Sequence, residues 1–176
     1  AIGKVKDLMG MPLIPFRAKA PKYVGVDGGE FSIGGKPYRY IGANFWYGAI
    51  LASEGAGGNR QRLSAELDNM QALGIDNLRI LVGGQGNKSK ISHIEPTLEL
   101  EPGVYNEDIL KGLDYLLVEL ERRGMKAVLY LNNAWEWSGG YGCYLEWAGK
   151  GECPVPALTS YSEYMDEGEP KEAFTF

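Results

Sequence analysis

The sequence predicts an α/β fold on a parallel sheet, namely the N-terminal part of a (β/α)8 TIM barrel: a leading hairpin and about the first three barrel strands. Three observations predict it. Apolar strand-like runs alternate with amphipathic helical runs, the pattern of parallel strands joined by crossover helices. The strand runs are apolar nearly throughout, as expected where both sheet faces are covered. The alternation is legible for three strands within 176 residues, whereas a closed barrel of this type takes about 250. A small open sheet would satisfy the first two observations; a partial barrel also accounts for the third.

Taken in order, residues 1–22 lack a clear period, contain Pro12, Pro15 and Pro21, and read as an irregular arm. The barrel part is expected over 23–176. Residues 23–40 read as a hairpin with turns at Gly28-Gly29 and Gly34-Gly35, which supply the positive φ that tight hairpins need. Residues 38–45 (YRYIGANF) form the first expected core strand. A helix follows over 60–73, with Leu63, Leu67, Met70 and Leu73 on one face and Gly74 as its stop. Residues 76–82 (DNLRILV) form the second strand, and 83–104 a long loop. Asn106 caps a helix running to Arg123 whose apolar stripe is Ile109, Leu110, Leu113, Leu116, Leu117 and Leu120. Glu107 and Asp108 in its first turn and Arg122 and Arg123 in its last suit the helix dipole. Gly124 ends it, and 126–131 (KAVLYL) form the third strand. After Asn132 the periodicity fades into a Trp-, Tyr- and Gly-rich stretch and then an acidic one.

Composition excludes several classes. A net charge of −5 with 18 Lys and Arg gives no electrostatic footprint for nucleic acid. No apolar run approaches the roughly 20 residues of a membrane span. The first residues show no charged start followed by an apolar stretch. The 25 glycines cluster without period, which signals tight loops between regular elements. Cys143 and Cys153 fit no zinc spacing; one local disulfide and two free thiols are equally allowed. No metal or cofactor is expected.

Residues 82–89 (VGGQGNKS) follow a strand as a phosphate loop would. Asn87 stands where such a loop needs glycine, so the segment reads as an ordinary Gly-rich connection. Arg79 lies inside an otherwise apolar strand. Read as buried, its guanidinium needs acceptors, either as a site residue that holds carboxylates or as a structural ion pair. Asn132, Asn133, Trp135 and Trp137 follow the third strand, and Phe45, Trp46 and Tyr47 end the first. Aromatic faces stack on the apolar faces of sugar rings, while amides bind hydroxyls. Two such clusters at strand ends point to a saccharide cleft. Glu136 lacks the second carboxylate that glycosidase chemistry requires and reads as a loop residue making local hydrogen bonds. His93 has no nucleophile or acid beside it in sequence and takes no catalytic role.

The ordered series GKPY (35–38), IGANFWYG (41–48), LGIDNLRIL (73–81), PGVYN (102–106), GLDY (112–115), VLYLNN (128–133), WEWSGG (135–140) and YLEWAG (144–149) resembles glycoside hydrolase family 5, in its endo-β-1,4-mannanase branch. The resemblance covers about residues 23–150. It implies a (β/α)8 barrel that cuts β-1,4-mannan internally with retention of configuration. Arg79 would then support the nucleophile, Trp135 or Trp137 would line the glycone side, and Trp46 would lie at the cleft rim; Asn132 is a substrate-binding candidate from its amide alone. The family's acid/base Glu ends the fourth strand and its nucleophile the seventh, and neither segment is matched here. The resemblance therefore implies a chain inactive alone, with a second chain completing the barrel as one route to activity. A β-1,4-glucanase and a non-catalytic saccharide binder or inert fragment are the alternatives. A polymeric substrate further implies a secreted, periplasmic or cell-surface location. An open three-strand edge is expected to leave the isolated chain unstable, oligomeric or prone to aggregate.

Overall fold

The computed structural model describes residues 23–86 and 93–153. The arm expected over 1–22, part of the 82–89 loop and the acidic stretch near the C-terminus lie outside them. The described residues divide between Tyr23–Arg39 and Tyr40–Cys153, two separate compact units.

The first unit is an antiparallel meander of β1 (Gly25–Asp27), β2 (Glu30–Ile33) and β3 (Lys36–Pro37). Its two expected Gly-Gly turns are both present with positive φ.

The second unit is built on a parallel sheet of β4 (Gly42–Asn44), β5 (Asn77–Leu81) and β8 (Lys126–Tyr130), in that order. β4 is shorter than the expected 38–45. The Tyr38 amide is taken by the Phe31 carbonyl of the meander, and the Ile41 amide by the Asp76 side chain at 3.1 Å. The ladder therefore starts at Gly42, opposite Asn77.

Three helices cover one face of this sheet. α1 (Gly48–Ala52) was not legible in its Gly-rich surroundings, and its Gly48, Ala49, Leu51 and Ala52 are buried. α2 (Arg60–Ala72) starts where Asn59 accepts the Arg62 amide at 2.9 Å. Leu63 and Leu67 of α2 are fully buried. Leu73, expected on the same face, is 75% exposed because the helix has already ended at Ala72. α3 (Glu107–Arg122) is capped by Asn106 as expected. These helices close over Leu78 and Ile80, forming one core with Phe45, Leu51, Leu116, Leu120 and Met125. Arg123 ties the helix pair together through Asp68 and Ser64 of α2 and Glu119 of α3. The Arg123 guanidinium beside Glu119 holds that carboxyl below the usual carboxylate range.

The expected long loop 83–104 contains a small antiparallel pair, β6 (Glu99–Glu101) and β7 (Val104–Tyr105), reversed at Gly103. The Trp-rich stretch after Asn132 is also structured: a 3-10 turn (Glu136–Ser138) leads into α4 (Gly140–Trp147).

The expectation that both sheet faces are covered is corrected. Side chains alternate across a strand, so Asn44, Arg79 and Val128, which are register partners, share the face away from the helices. All three are exposed. Leu129 of β8 is 40% exposed, and Leu131, just after the strand, 77%.

Two predictions follow from this packing. A Cβ on Gly112 of α3 would stand 2.3 Å from the Ala49 carbonyl oxygen of α1, so the helices cross with no room for a side chain. Gly112→Ala is expected to destabilise the chain by about 1–3 kcal/mol despite alanine's helix preference, measured by urea unfolding. The 176-residue chain, with apolar residues exposed along β8, is expected to self-associate with rising concentration in sedimentation velocity; a monomer at all concentrations would contradict this.

Candidate functional site

The candidate site lies at the C-terminal ends of β4, β5 and β8, where a parallel α/β sheet presents its ligand-binding loops. Backbone bonds align these ends. The Phe45 amide donates to the Arg79 carbonyl at 2.8 Å, and the Val82 amide to the Tyr130 carbonyl at 3.0 Å.

After β4 the chain turns its aromatic residues in different directions. Phe45 is fully buried, whereas Trp46 is 40% exposed. Tyr47 packs on Phe45 with ring centroids 4.6 Å apart and donates its hydroxyl to Glu66 of α2 at 2.8 Å. Burial, reinforced by the Glu66 carboxylate, raises the Tyr47 pKa, so the hydroxyl stays a donor. Tyr47 in turn meets the Trp46 ring edge-on at 5.4 Å.

The Trp46 ring also meets Trp137 at 5.3 Å and 67°. This contact joins the end of the first sheet strand to the loop after the third. Of the two loop tryptophans the sequence offered, Trp137 makes this bridge. Trp135 is partly buried and serves the turn through its backbone: its amide donates to Asn133 Oδ1, and its carbonyl accepts from Ser138 Oγ. Asn132 remains exposed.

Arg79 departs from the expectation of a buried guanidinium. It is exposed on the open sheet face, so water can hydrate it. Its guanidinium stacks over the Tyr130 ring, 3.8 Å from the centroid, a favourable cation–π arrangement. Burial raises the Tyr130 pKa, and the adjacent Arg79 opposes that shift. Sequence reading did not single out Tyr130. Counting two residues along β8 from Val128, the register partner of Arg79, would have found it.

Gln85 was also missed, since nothing in a Gly-rich run marks a buried amide. It is 3% exposed, and its Oε1 accepts the Gly140 amide at 3.1 Å. Its backbone N–H donates to the Ser138 carbonyl at 2.8 Å. These bonds fix the Trp137 loop against the chain after β5. On the far side of α4, the Tyr144 hydroxyl donates to Glu99 of β6 at 3.1 Å.

Glu136 is only 6% exposed, and its Oε2 makes no hydrogen bond among the described residues. Any local hydrogen bonds expected of Glu136 therefore do not involve Oε2. A cavity of about 470 Å³ lies to one side, lined by residues that include Gly57, His93, Glu95 and Thr97. Trp46, Arg79, Tyr130 and Trp137 do not line it. Among the described residues no group of acidic, His and Cys side chains could hold a metal ion, and no helix is long and apolar enough to cross a membrane.

A three-stranded parallel sheet joined by crossover helices, like that of a solved structure 37% identical to this chain with a TM-score of 0.73, sets the class: the N-terminal part of a (β/α)8 barrel. The chain belongs to the glycoside hydrolase family 5 β-mannosidase-like family, whose model matches residues 21–173. It is 31% identical over 130 residues to mannan endo-1,4-β-mannosidase 1 of Arabidopsis thaliana, covering 74% of this chain and 30% of that one. Its likeness to mannan endo-1,4-β-mannosidase 1 of Oryza sativa is 33% over 129 residues, covering 72% and 27%. The structure of the family 5 mannosidase from Rhizomucor miehei is 37% identical, with a TM-score of 0.73 over 84% of this chain and 37% of that one. The endo-1,4-β-mannanase of the same organism, 21% identical with a TM-score of 0.56 over 86% and 39%, shares the fold. The chain thus spans about a third of the length of these relatives.

The Tyr144–Glu99 bond gives an alkaline prediction. Burial, reinforced by Glu99, pushes the Tyr144 pKa up from 10.0 to about 12. The folded state therefore holds the phenolic proton more tightly than the unfolded state. The resulting stability is complete below pH 10 and is lost as pH rises from 10 towards about 12. Tyr144→Phe is expected to flatten this decline, measured as unfolding midpoint against pH.

Proposed function

We propose that this chain carries the first part of the substrate cleft of a retaining, endo-acting hydrolase of β-1,4-mannosidic bonds. The single observation that carries the reading is the Trp46–Trp137 contact, which makes one aromatic rim from two strand ends. A rim of this kind suits a neutral saccharide. Ring C–H faces stack on indoles, and hydroxyls take hydrogen bonds from Asn132 and from the guanidinium of Arg79.

In this reading Arg79 is a positioning residue. Its stack on Tyr130 fixes the plane of the guanidinium, which presents N–H donors to a carboxylate arriving from a later strand. Glycoside cleavage with retention needs a nucleophile and an acid/base about 5–5.5 Å apart, and that pair belongs to barrel strands beyond the three described here. A β-mannan is the substrate, and an extracellular or periplasmic site of action follows from a polymer of that size. The rest of the barrel, in the same or a second chain, supplies the chemistry.

A second reading, an exo-acting enzyme on short mannosides, rests on one observation. The identity is 37–38% to structures of the Rhizomucor miehei mannosidase, one of them in complex with mannosyl-fructose, against 21% for the endo-mannanase of the same organism. A β-1,4-glucanase and a non-catalytic binder are the remaining outcomes of the test.

The test is a chimaera in which residues 23–153 replace the matching segment of the Rhizomucor miehei mannosidase. Internal cuts in mannan, read from product sizes, support the endo reading; mannose released only from chain ends supports the exo reading; preferential cutting of cellulose supports the glucanase. The 176-residue chain alone is expected to hydrolyse none of these, and robust turnover by it would overturn the assignment of the carboxylates to later strands. Trp137→Ala in the chimaera is expected to raise KM about tenfold, on the scale of one lost aromatic contact, with a smaller change in kcat.

A further inference from the structure

We propose that Cys143 and Cys153 form an intramolecular disulfide that clasps the module bearing Trp137. Both side chains are buried, at 4% and 5% exposure, and the sequence contains no other cysteine. Both cysteines are reduced thiols in the structure, and both bond one carbonyl oxygen, Cys143 through its backbone amide and Cys153 through its sulfur. The Gly139 carbonyl oxygen accepts the Cys143 amide at 3.0 Å and the Cys153 thiol at 3.6 Å.

The surroundings place the sulfurs in one seam. Cys143 Sγ lies 3.4 Å from where a Cβ on Gly86 would stand, and a Cβ on Gly139 would meet the Gln85 carbonyl. Both thiols therefore face the junction between α4 and the chain after β5. The return path is built for this approach. Beyond α4 the chain reverses through Gly149 and Gly151, both at positive φ, and the Glu146 carboxylate accepts the Cys153 amide at 2.9 Å. The Cys153 backbone is thus held in place by a contact that does not involve its sulfur.

The oxidant is a low-molecular-weight disulfide such as oxidised glutathione. One cysteine thiolate attacks it, an S–S bond to the protein forms, and one glutathione thiolate leaves. The second cysteine thiolate attacks the protein sulfur of that mixed disulfide and releases the other glutathione. The two thiol protons pass to the departing glutathione thiolates. Two protein thiols are oxidised and one glutathione disulfide is reduced to two glutathiones.

The closed ring runs from Cys143 to Cys153 and encloses the end of α4. Cross-linking so short a loop restricts local opening by on the order of 10- to 100-fold in the chain-entropy account. Because only Ser138 separates Trp137 from Gly139, the clasp steadies the aromatic rim from behind. Because the two thiols are reduced in the structure, the disulfide is the product of their oxidation, and it does not depend on the saccharide reading.

The experiment uses the full 176-residue chain equilibrated in a series of oxidised and reduced glutathione mixtures, quenched with acid, alkylated in denaturant and mapped by mass spectrometry. The expected result is loss of both thiols together, a linked peptide pair containing Cys143 and Cys153, and amide exchange around 139–146 slowed by on the order of 10- to 100-fold. Cys143→Ser and Cys153→Ser are each expected to leave a remaining thiol that stays alkylatable or carries glutathione. Glutathione adducts on the unsubstituted chain, disulfide-linked dimers, or two alkylatable thiols across the whole series would each overturn the proposal. If a serine variant does not fold, the peptide map of the unsubstituted chain decides.

Discussion

The structure depends on the parity of β5. Five residues pair in parallel with β8 and three with β4, and a strand in such a ladder sends successive side chains to opposite faces. Leu78 and Ile80 are wholly buried under the helices. A slip of one residue would place Arg79 in that core and expose both aliphatic side chains, so burial fixes the register. Once it is fixed, Arg79 must stand on the open face beside Asn44 and Val128. Tyr130, two residues along β8, then lies where the guanidinium can stack on it. The candidate site thus inherits its geometry from hydrophobic packing on the other side of the sheet.

The same parity explains what was legible in the sequence. α3 was readable almost to the residue because Asn106, the leucine stripe and Gly124 all mark one helix. α2 was readable up to its last turn, where Leu73 kept the apolar period after the helix had ended. The core strands were recognisable by apolarity, but apolarity alone overstated the cover on them. Val128 and Leu129 are as apolar as a buried strand requires and are nonetheless exposed. Arg79 was noticed for its isolation among aliphatic residues and misjudged as buried, since a single strand does not reveal which of its faces is covered. The elements that escaped were short and stabilised by tertiary contact: α1, β6, β7 and α4 carry little intrinsic signal within glycine-rich sequence.

The aromatic rim illustrates that dependence. Trp46 and Trp137 were both visible as strand-end tryptophans, but their contact depends on how the loop after β8 is seated. That seating is made by backbone and amide bonds from Gln85 to Ser138 and Gly140, and by close approaches at two glycines. At Gly84 a Cβ would come within 3.0 Å of the Ser138 carbonyl oxygen. At Gly139 it would clash with the Gln85 carbonyl while φ is also +83°. The abundance of glycine, which at first indicates only loops, here permits two loops to dock backbone to backbone.

Docking of this kind bears on binding energetics. A saccharide offers weak, spread-out contacts, so a surface that must order itself on binding loses much of what those contacts contribute. In the proposed saccharide reading, the rim would avoid part of that loss. Tyr47 is tied to Glu66 and packs on the buried Phe45, Trp46 rests against Tyr47 and Trp137, and the Arg79 plane is set by Tyr130. Each exposed group is held by a neighbour that a ligand need not displace. Aromatic residues with few rotatable bonds and a stacked guanidinium lose little further freedom when a sugar arrives. The partial exposure of Trp46 and Arg79 is therefore combined with fixed orientation, each ring or guanidinium being held by a neighbour seated on the core.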